Sequence, residues 1–259
     1  MNDYRATSAD AGHGPAPWGP WATLGFALVT AAAFVLVQAA VALVYLVVRF
    51  GREPSADAGA MAAAAQTNGL LLALSTLATA VVCTGLIVGF ARMRQTDPLR
   101  QYLRLRPVPT AALLRWLGLM VLAAVAWDAL TTLLGRPVVP VFMRATYATA
   151  GNPALFWLAL AVAAPVFEEL FFRGFLLTGL RRSRLGASGA VLVTALLWAG
   201  IHLQYNTYEV ASIFIFGLIL GAARVRTDST WTPVLMHGLL NLLSLAETAW
   251  YVSAHVNGV

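Results

Sequence analysis

The chain has 259 residues, of which 59% are hydrophobic and only 11% charged, and its formal net charge is +6. Because soluble domains carry about 25% charged residues, this composition excludes an ordinary soluble protein. It predicts an integral membrane protein that is in contact with the lipid bilayer. In such a protein the basic surplus reports loop orientation, and no nucleic-acid partner is expected. The single cysteine, Cys83, excludes a disulfide framework and a cysteine-based zinc site.

Long apolar runs divide the chain. Residues 1–20 are rich in Gly, Pro and Ala and predict a disordered N-terminal tail, and residues 253–259 are predicted to form a C-terminal tail. The apolar runs cover about 21–48, 67–91, 112–134, 154–180, 187–203, 210–223 and 232–252. A spanning helix needs about 20 apolar residues. We therefore predict an all-α fold, a polytopic transmembrane helical bundle of about seven spans, with 210–223 as the candidate for a short or re-entrant one.

The arginines predict the orientation of this bundle. Eleven arginines lie in the loops 92–115, 181–184 and 224–226, which alternating spans place on one side, whereas the opposite loops hold four. The positive-inside rule identifies the richer side as cytoplasmic. Since all 17 basic residues are arginine, which is typical of a bacterial chain, we expect an inner-membrane protein with a cytoplasmic N-terminus. No internal repeat is visible, which disfavours a transporter built from inverted repeats.

Three ionisable residues lie inside the fourth apolar run: Glu168, Glu169 and Arg173. A charge at bilayer depth costs about 2.5–3.5 kcal/mol on insertion scales, so such residues usually serve function and face a partner or a wet cavity. Glu169 and Arg173 are four residues apart and predict an ion pair, while Glu168 points about 100° away. Pro165 predicts a kink or a restart of the helix, which would place Glu168 near a helix N-terminus. One carboxylate is then neutralised and the other is free for chemistry; the alternative is a cluster that only ties helices together.

Two further polar sites lie in later apolar runs. His202 follows Trp198 by four residues at the end of the fifth run, and His237 and Asn241 share one helical face in the last run. Each histidine taken singly is more often a hydrogen-bonded packing residue than a catalyst. Together with Glu168 they form a hydrolytic set, because glutamate can act as a general base and histidine and asparagine can donate hydrogen bonds to an oxyanion.

The three motifs resemble a known family. Glu-Glu-x-x-x-Arg from Glu168, an aromatic-x-x-x-His from Trp198 and His-x-x-x-Asn from His237, in this order, are similar to the CPBP family of intramembrane proteases, which includes the type II CAAX prenyl proteases. The resemblance covers about 150–250, so 150–252 is predicted to be the catalytic helical core and 21–149 to supply the N-terminal helices and a basic cytoplasmic loop. The family usually has phenylalanine where this chain has Trp198.

The resemblance implies an endopeptidase that cleaves a membrane-anchored protein or peptide. Glu168 would activate the attacking water, helped by His202. His237 and Asn241 would hold the oxyanion of the tetrahedral intermediate.

The resemblance also implies supporting residues and leaves the question of a metal open. Glu169 and Arg173 would support the site from the helix that carries Glu168. We expect no cofactor; zinc is the alternative, bound by Glu168, His202 and His237 with a water as fourth ligand. The chain has no His-Glu-x-x-His segment, which excludes the soluble zincin arrangement.

Three questions stay open at this level. The same polar residues would also suit a non-proteolytic scaffold or immunity protein. Ser188, in a Gly-x-Ser-Gly segment, matches rhomboid serine proteases, although those place their His-x-x-x-Asn before the serine. Asp128 is a further lone carboxylate, which either contacts Arg173 or lines the same cavity.

The depth of the two histidines presents a geometric difficulty. Straight spanning helices would separate His202 from His237 by roughly 15 Å along the membrane normal. We expect the end of the short run 210–223 to dip into a water-filled cavity and so bring His237 deeper, which irregular backbone at membrane depth permits.

Overall fold

The computed structural model describes residues 18–55, 57–93 and 99–255, and 82% of it is helical. No strand occurs in these ranges, which confirms the predicted all-α, polytopic helical bundle. In chain order the helices are α1 Pro20–Arg52, α2 Ala58–Ala65, α3 Gly69–Arg92, α4 Leu99–Tyr102, α5 Thr110–Leu133, α6 Val141–Ala148, α7 Pro153–Leu180, α8 Gly186–Gly200, α9 Thr207–Thr227 and α10 Trp231–His255.

All seven apolar runs form helices, but not all of these helices match a bilayer equally. Five of them (α1, α3, α5, α7 and α9) are long and apolar enough to cross a membrane. Helix α8 is apolar but has 15 residues, and α10 has 25 residues and carries His237 and Asn241 of the predicted catalytic set. The chain is therefore an integral membrane protein whose bundle combines full-length spans with a shorter apolar helix.

The prediction that run 210–223 is short or re-entrant is wrong. Asn206 caps α9 through its side chain, and Glu209 closes a capping box by accepting from the Asn206 backbone N–H, so the helix starts before the apolar run. It continues to Thr227 and ends where Asp228 adopts a left-handed conformation. Polar residues at both ends thus lengthen the helix to 21 residues.

The predicted tails fall largely outside the described residues. Residues 1–17 and 256–259 lie there, as does Arg94 of the basic loop. Within the described part, α1 already begins at Pro20, and α10 continues through 253–255, so these residues belong to helices and not to tails.

Helix α7 lies at the centre of the bundle and packs against α1, α3, α8 and α10. The predicted kink or restart at Pro165 takes the form of a change in winding: a π-helical turn over Leu158–Ala163 precedes the proline, an α-helical segment begins at Ala164 with Pro165 in its first turn, and the helix runs on. Proline lacks an N–H and its ring clashes with the carbonyl four residues earlier, that of Ala161; the wider turn relieves both problems. Glu168 therefore lies within a continuous helix and not near a helix N-terminus.

The turn between α9 and α10 is inside the protein. Ser229 and Thr230 have no exposed surface, and residues 103–106 cover them. Thr230 donates to the carbonyl oxygens of Leu103 and Arg104, and Ser229 donates to that of Arg106. Because α10 starts inside the bundle, its second turn reaches the centre without any shortening of α9.

Arg224 was predicted to belong to a basic cytoplasmic loop, and this is wrong. It lies in the last turns of α9 with no exposed surface. Its Nε donates to the carbonyl oxygen of Arg173 at 3.1 Å and to the hydroxyl of Thr230 at 3.1 Å, and its guanidinium also reaches Asp228. The four-residue spacing of Arg224 and Asp228 is the sequence signal that indicates this contact.

Gly179 of α7 allows α1 to approach closely. A Cβ at this position would overlap the fully buried side chain of Thr23. We expect Gly179→Ala to lower the free energy of unfolding by about 1–3 kcal/mol, the usual cost of overpacking, as measured by thermal unfolding in detergent. Gly89→Ala in α3 is the matched control, since nothing lies within 4 Å of its Cβ. Equal losses in the two variants would contradict the predicted contact.

Candidate active site

One cavity of about 540 Å³ opens between α1, α3 and the helices from α5 to α10. Its lining includes Glu168, His202, His237 and Asn241, the four side chains that the sequence analysis predicts to be catalytic. The volume lies within the range of about 300–1,000 Å³ typical of ligand sites. The structure therefore brings the whole predicted set to one place, while the role of each residue stays a prediction.

Glu169 and Arg173 form the predicted ion pair beside this cavity. Both are fully buried, and a guanidinium nitrogen of Arg173 lies 2.8 Å from Oε1 of Glu169. The guanidinium also donates to the carbonyl oxygen of Gly217 at 3.1 Å. The same carboxylate oxygen is 3.0 Å from Nδ1 of His237. Glu169 thus links the ion pair to a cavity-lining histidine on another helix. The predicted supporting role would then be to hold His237 in place.

Glu168 faces the other way, as its position on the helix predicts. It is half-buried and lines the cavity. Its Oε2 accepts a hydrogen bond of 2.5 Å from the indole Nε1 of Trp198 on α8. One carboxylate oxygen is therefore held by the protein, and no protein hydrogen bond to the other is observed within the described ranges.

Besides Glu168, Trp198 contacts three further residues of the site. The Arg173 guanidinium lies 4.8 Å from the indole ring centre, in cation–π geometry. The rings of His202 and His237 meet the indole edge-on, with centroids 5.4 and 5.1 Å away. Because both imidazoles contact one indole, the depth difference expected for straight helices does not arise. The buried start of α10 accounts for this, and not a short α9.

The two histidines share one hydrogen-bonding pattern. Nδ1 of His202 is 2.7 Å from the carbonyl oxygen of Trp198, and Nδ1 of His237 faces the Glu169 carboxylate. Both partners can only accept, so in each ring Nδ1 carries the proton and donates it. In the neutral form Nε2 then holds a lone pair. Such a nitrogen can accept a proton. It can donate a hydrogen bond to an oxyanion only when the ring is protonated to the imidazolium. At His237 the Glu169 carboxylate would pair with that imidazolium.

Asn241 is held by the π-helical turn of α7. Its Nδ2 donates to the carbonyl oxygen of Leu160 at 2.8 Å. Helix α10 comes close to this turn, since a Cβ on Gly238 would lie 3.1 Å from the carbonyl oxygen of Ala161. An amide nitrogen has two N–H groups, so one stays available toward the cavity. The sequence indicated the asparagine but not its carbonyl partner, which only the widened turn exposes.

Zinc, the alternative cofactor, would have Glu168, His202 and His237 as its protein ligands. Catalytic zinc requires three protein ligands about 2.0–2.2 Å from one point. Across the residues that the structure describes, no three His, Cys, Asp or Glu side chains come together in a way that could hold a metal ion. Glu168, His202 and His237 therefore do not form a preformed three-ligand site in this arrangement, and both the metal-free reaction and its zinc alternative stay predictions.

Three other carboxyl groups line the cavity, those of Asp128, Glu209 and Glu247. Asp128 belongs to α5 and Glu247 to α10. Of the two positions predicted for Asp128, the structure thus places it at the cavity.

Ser188 lies exposed in the first turn of α8, whereas His202 follows the other end of that helix. The 14 residues between them correspond to about 21 Å. A serine–histidine dyad of these two residues is therefore excluded, and the rhomboid alternative loses its support from His202.

The comparisons with known proteins agree with this geometry. Residues 150–243 match the family model described as type II CAAX prenyl endopeptidase Rce1-like. An Escherichia coli protein described as an uncharacterized 24.3 kDa protein is 36% identical over 146 residues, covering 51% of this chain. The chain spans 64% of the length of that relative. No solved structure matches. The matched residues contain all three motifs, and the match confirms the resemblance of this segment to the CPBP intramembrane proteases.

Proposed function

We propose that the protein is an intramembrane endopeptidase that hydrolyses a peptide bond in a membrane-anchored protein or peptide. One observation carries the proposal: Glu168, His202, His237 and Asn241, drawn from α7, α10 and the segment that follows α8, line a single cavity within an apolar bundle. The family match of the segment that supplies all four residues supports it. A purely structural cluster would not need a half-buried carboxylate that faces the cavity.

The proposed reaction begins at Glu168. Trp198 holds one carboxylate oxygen, and the other takes a proton from a water molecule as the water oxygen attacks the carbonyl carbon of the substrate. His202, which lines the same cavity, would accept a hydrogen bond from that water through its free Nε2. Glu168 then returns the proton to the leaving amine, so that the protons balance over one turnover.

Two groups are proposed to hold the oxyanion of the tetrahedral intermediate. The second N–H of Asn241 can donate directly, because the first is engaged by Leu160. His237 can donate from Nε2 when its ring is protonated, and Glu169 then pairs with the imidazolium. The predicted roles of both residues thus depend on second partners that hold them in place.

The experiment is comparative membrane proteomics of strains that carry the wild type or Glu168→Gln at equal protein level. Uncleaved precursors should accumulate, and their fragments should vanish, in the Glu168→Gln strain. A strain with Leu114→Ala, a change at an exposed apolar position of α5, is the control for general effects of a substitution in a membrane helix. Identical fragments in the wild-type and Glu168→Gln strains would contradict the proposed protease function and favour a scaffold or immunity function.

We propose further that the N-terminus faces the cytoplasm of a bacterial inner membrane. Arg224 no longer counts as a loop charge, but the arginines of 99–115 and 181–184 still outnumber those of the opposite loops. Reporter fusions at the loops after α3 and α5 test this orientation. Activity of a periplasmic reporter after α3, together with its absence after α5, would reverse the assignment.

A further inference from the structure

We propose that Trp198 is a positioning residue for Glu168: its indole N–H fixes one carboxylate oxygen so that the other faces the water to be activated. The inference rests on the proposed function and deepens it. Phenylalanine, usual at this place in the family, would keep an aromatic ring but has no N–H to donate.

The contact is short and directional. The donor–acceptor distance is 2.5 Å, and the indole N–H is a donor only, so its partner must be an acceptor. A hydrogen bond to an ionised carboxylate is stronger than one between neutral groups. With Oε2 engaged, rotation of the carboxylate away from the cavity would break this bond, and the orientation of Glu168 is restricted.

The indole is itself fixed by its surroundings. Trp198 is 3% exposed, and the buried Arg173 guanidinium covers one face of its ring. Gly217 makes room for it, because a Cβ there would lie 3.0 Å from the ring. Arg173 is held in turn by the carbonyl oxygen of Gly217 and by Glu169. The donor therefore belongs to a packed unit, and its direction does not depend on a mobile side chain.

The first experiment tests the contact without any substrate. The protein is labelled with ¹⁵N at its eight tryptophan indoles and placed in lipid nanodiscs, and the signal that disappears in W198F is that of Trp198. We expect this N–H signal to lie downfield of the others and to move upfield in Glu168→Gln, which removes the charge of the acceptor. A signal that stays in place in Glu168→Gln would overturn the proposal.

The second experiment tests the consequence. At position 198 a tryptophan analogue with sulfur in place of the indole N–H keeps the ring and removes only the donor. The probe is the precursor that accumulates in the Glu168→Gln strain, purified into vesicles. We expect kcat to fall about 10- to 100-fold with KM and thermal unfolding unchanged, because one charge-assisted hydrogen bond is lost at the reacting group. The same analogue at Trp250, an exposed residue of α10, is the matched control and should leave kcat unchanged.

The outcomes separate the two proposals. An unchanged kcat at position 198, with the signal shift present, would overturn the positioning role and leave the protease intact. The absence of any accumulating precursor would remove the proposed function and the positioning role with it, while the signal shift would still show whether Trp198 contacts Glu168.

Discussion

Glu168→Gln is expected to lower kcat by about 10²- to 10⁴-fold, the usual contribution of a general base, and to leave the fold intact. The amide cannot take a proton from water, yet its oxygen can still accept the hydrogen bond from Trp198. Glu168 is half-buried at the cavity wall and is not the carboxylate that pairs with Arg173, so its loss leaves no buried charge without a partner.

The measurement combines single-turnover cleavage of the purified precursor with thermal unfolding of the same samples. Glu209→Gln is the matched control, because Glu209 also lines the cavity but serves as a helix cap through its side chain. An amide oxygen can still accept the hydrogen bond of the cap, so we expect a much smaller effect on kcat. Cleavage by Glu168→Gln at the wild-type rate would exclude Glu168 as the base.

Arg173→Met is expected to destabilise the protein by about 3–5 kcal/mol, the cost of leaving one partner of a buried ion pair uncompensated. Both partners are fully buried, so water cannot solvate the Glu169 carboxylate that remains. The change also removes the hydrogen bond to the carbonyl oxygen of Gly217 and the guanidinium that covers Trp198. Stability and the geometry of the site should therefore fail together.

The control is a second ion pair with the same spacing. Arg49 and Glu53 lie 3.2 Å apart at the end of α1, with side chains 44% and 50% exposed. Exposed pairs contribute about 0–1 kcal/mol, so Arg49→Met should change thermal and denaturant unfolding little. If Glu169→Leu is combined with Arg173→Met, part of the lost stability should return, because the unpaired charge is gone. Equal destabilisation by Arg49→Met and Arg173→Met would show that burial of the pair at α7 is unimportant.

The features that the sequence predicted well are local ones. A spanning helix depends on a run of apolar residues about 20 long, and all seven runs proved helical. The pair Glu169 and Arg173 follows from a spacing of four within one helix. The three motifs indicated catalytic residues that prove to line the cavity. The number of residues between two motifs, however, does not give the distance between the helices that carry them.

The features that were missed depend on contacts between distant segments. The sequence predicted a kink or a restart at Pro165 but not the π-helical turn that accommodates the proline, nor the hydrogen bond from Asn241 to the Leu160 carbonyl of that turn, 81 residues apart in the chain. Arg224 looked like a loop charge because nothing local shows that residues 103–106 cover the turn that follows it.

The sequence by itself determined that the protein lies in a membrane, which segments are helical, and which polar side chains are costly to place in lipid and therefore indicate function. Each of these follows from the free energy of transferring residues that are close together in the chain from water into lipid. Only the tertiary structure decided that the Trp198 indole donates a hydrogen bond to Glu168, that Glu169 lies within hydrogen-bonding distance of His237, and that both imidazoles pack against the same indole. Those outcomes require helices far apart in the chain to pack to within hydrogen-bonding distance, and the packing depends on the shape of the whole bundle.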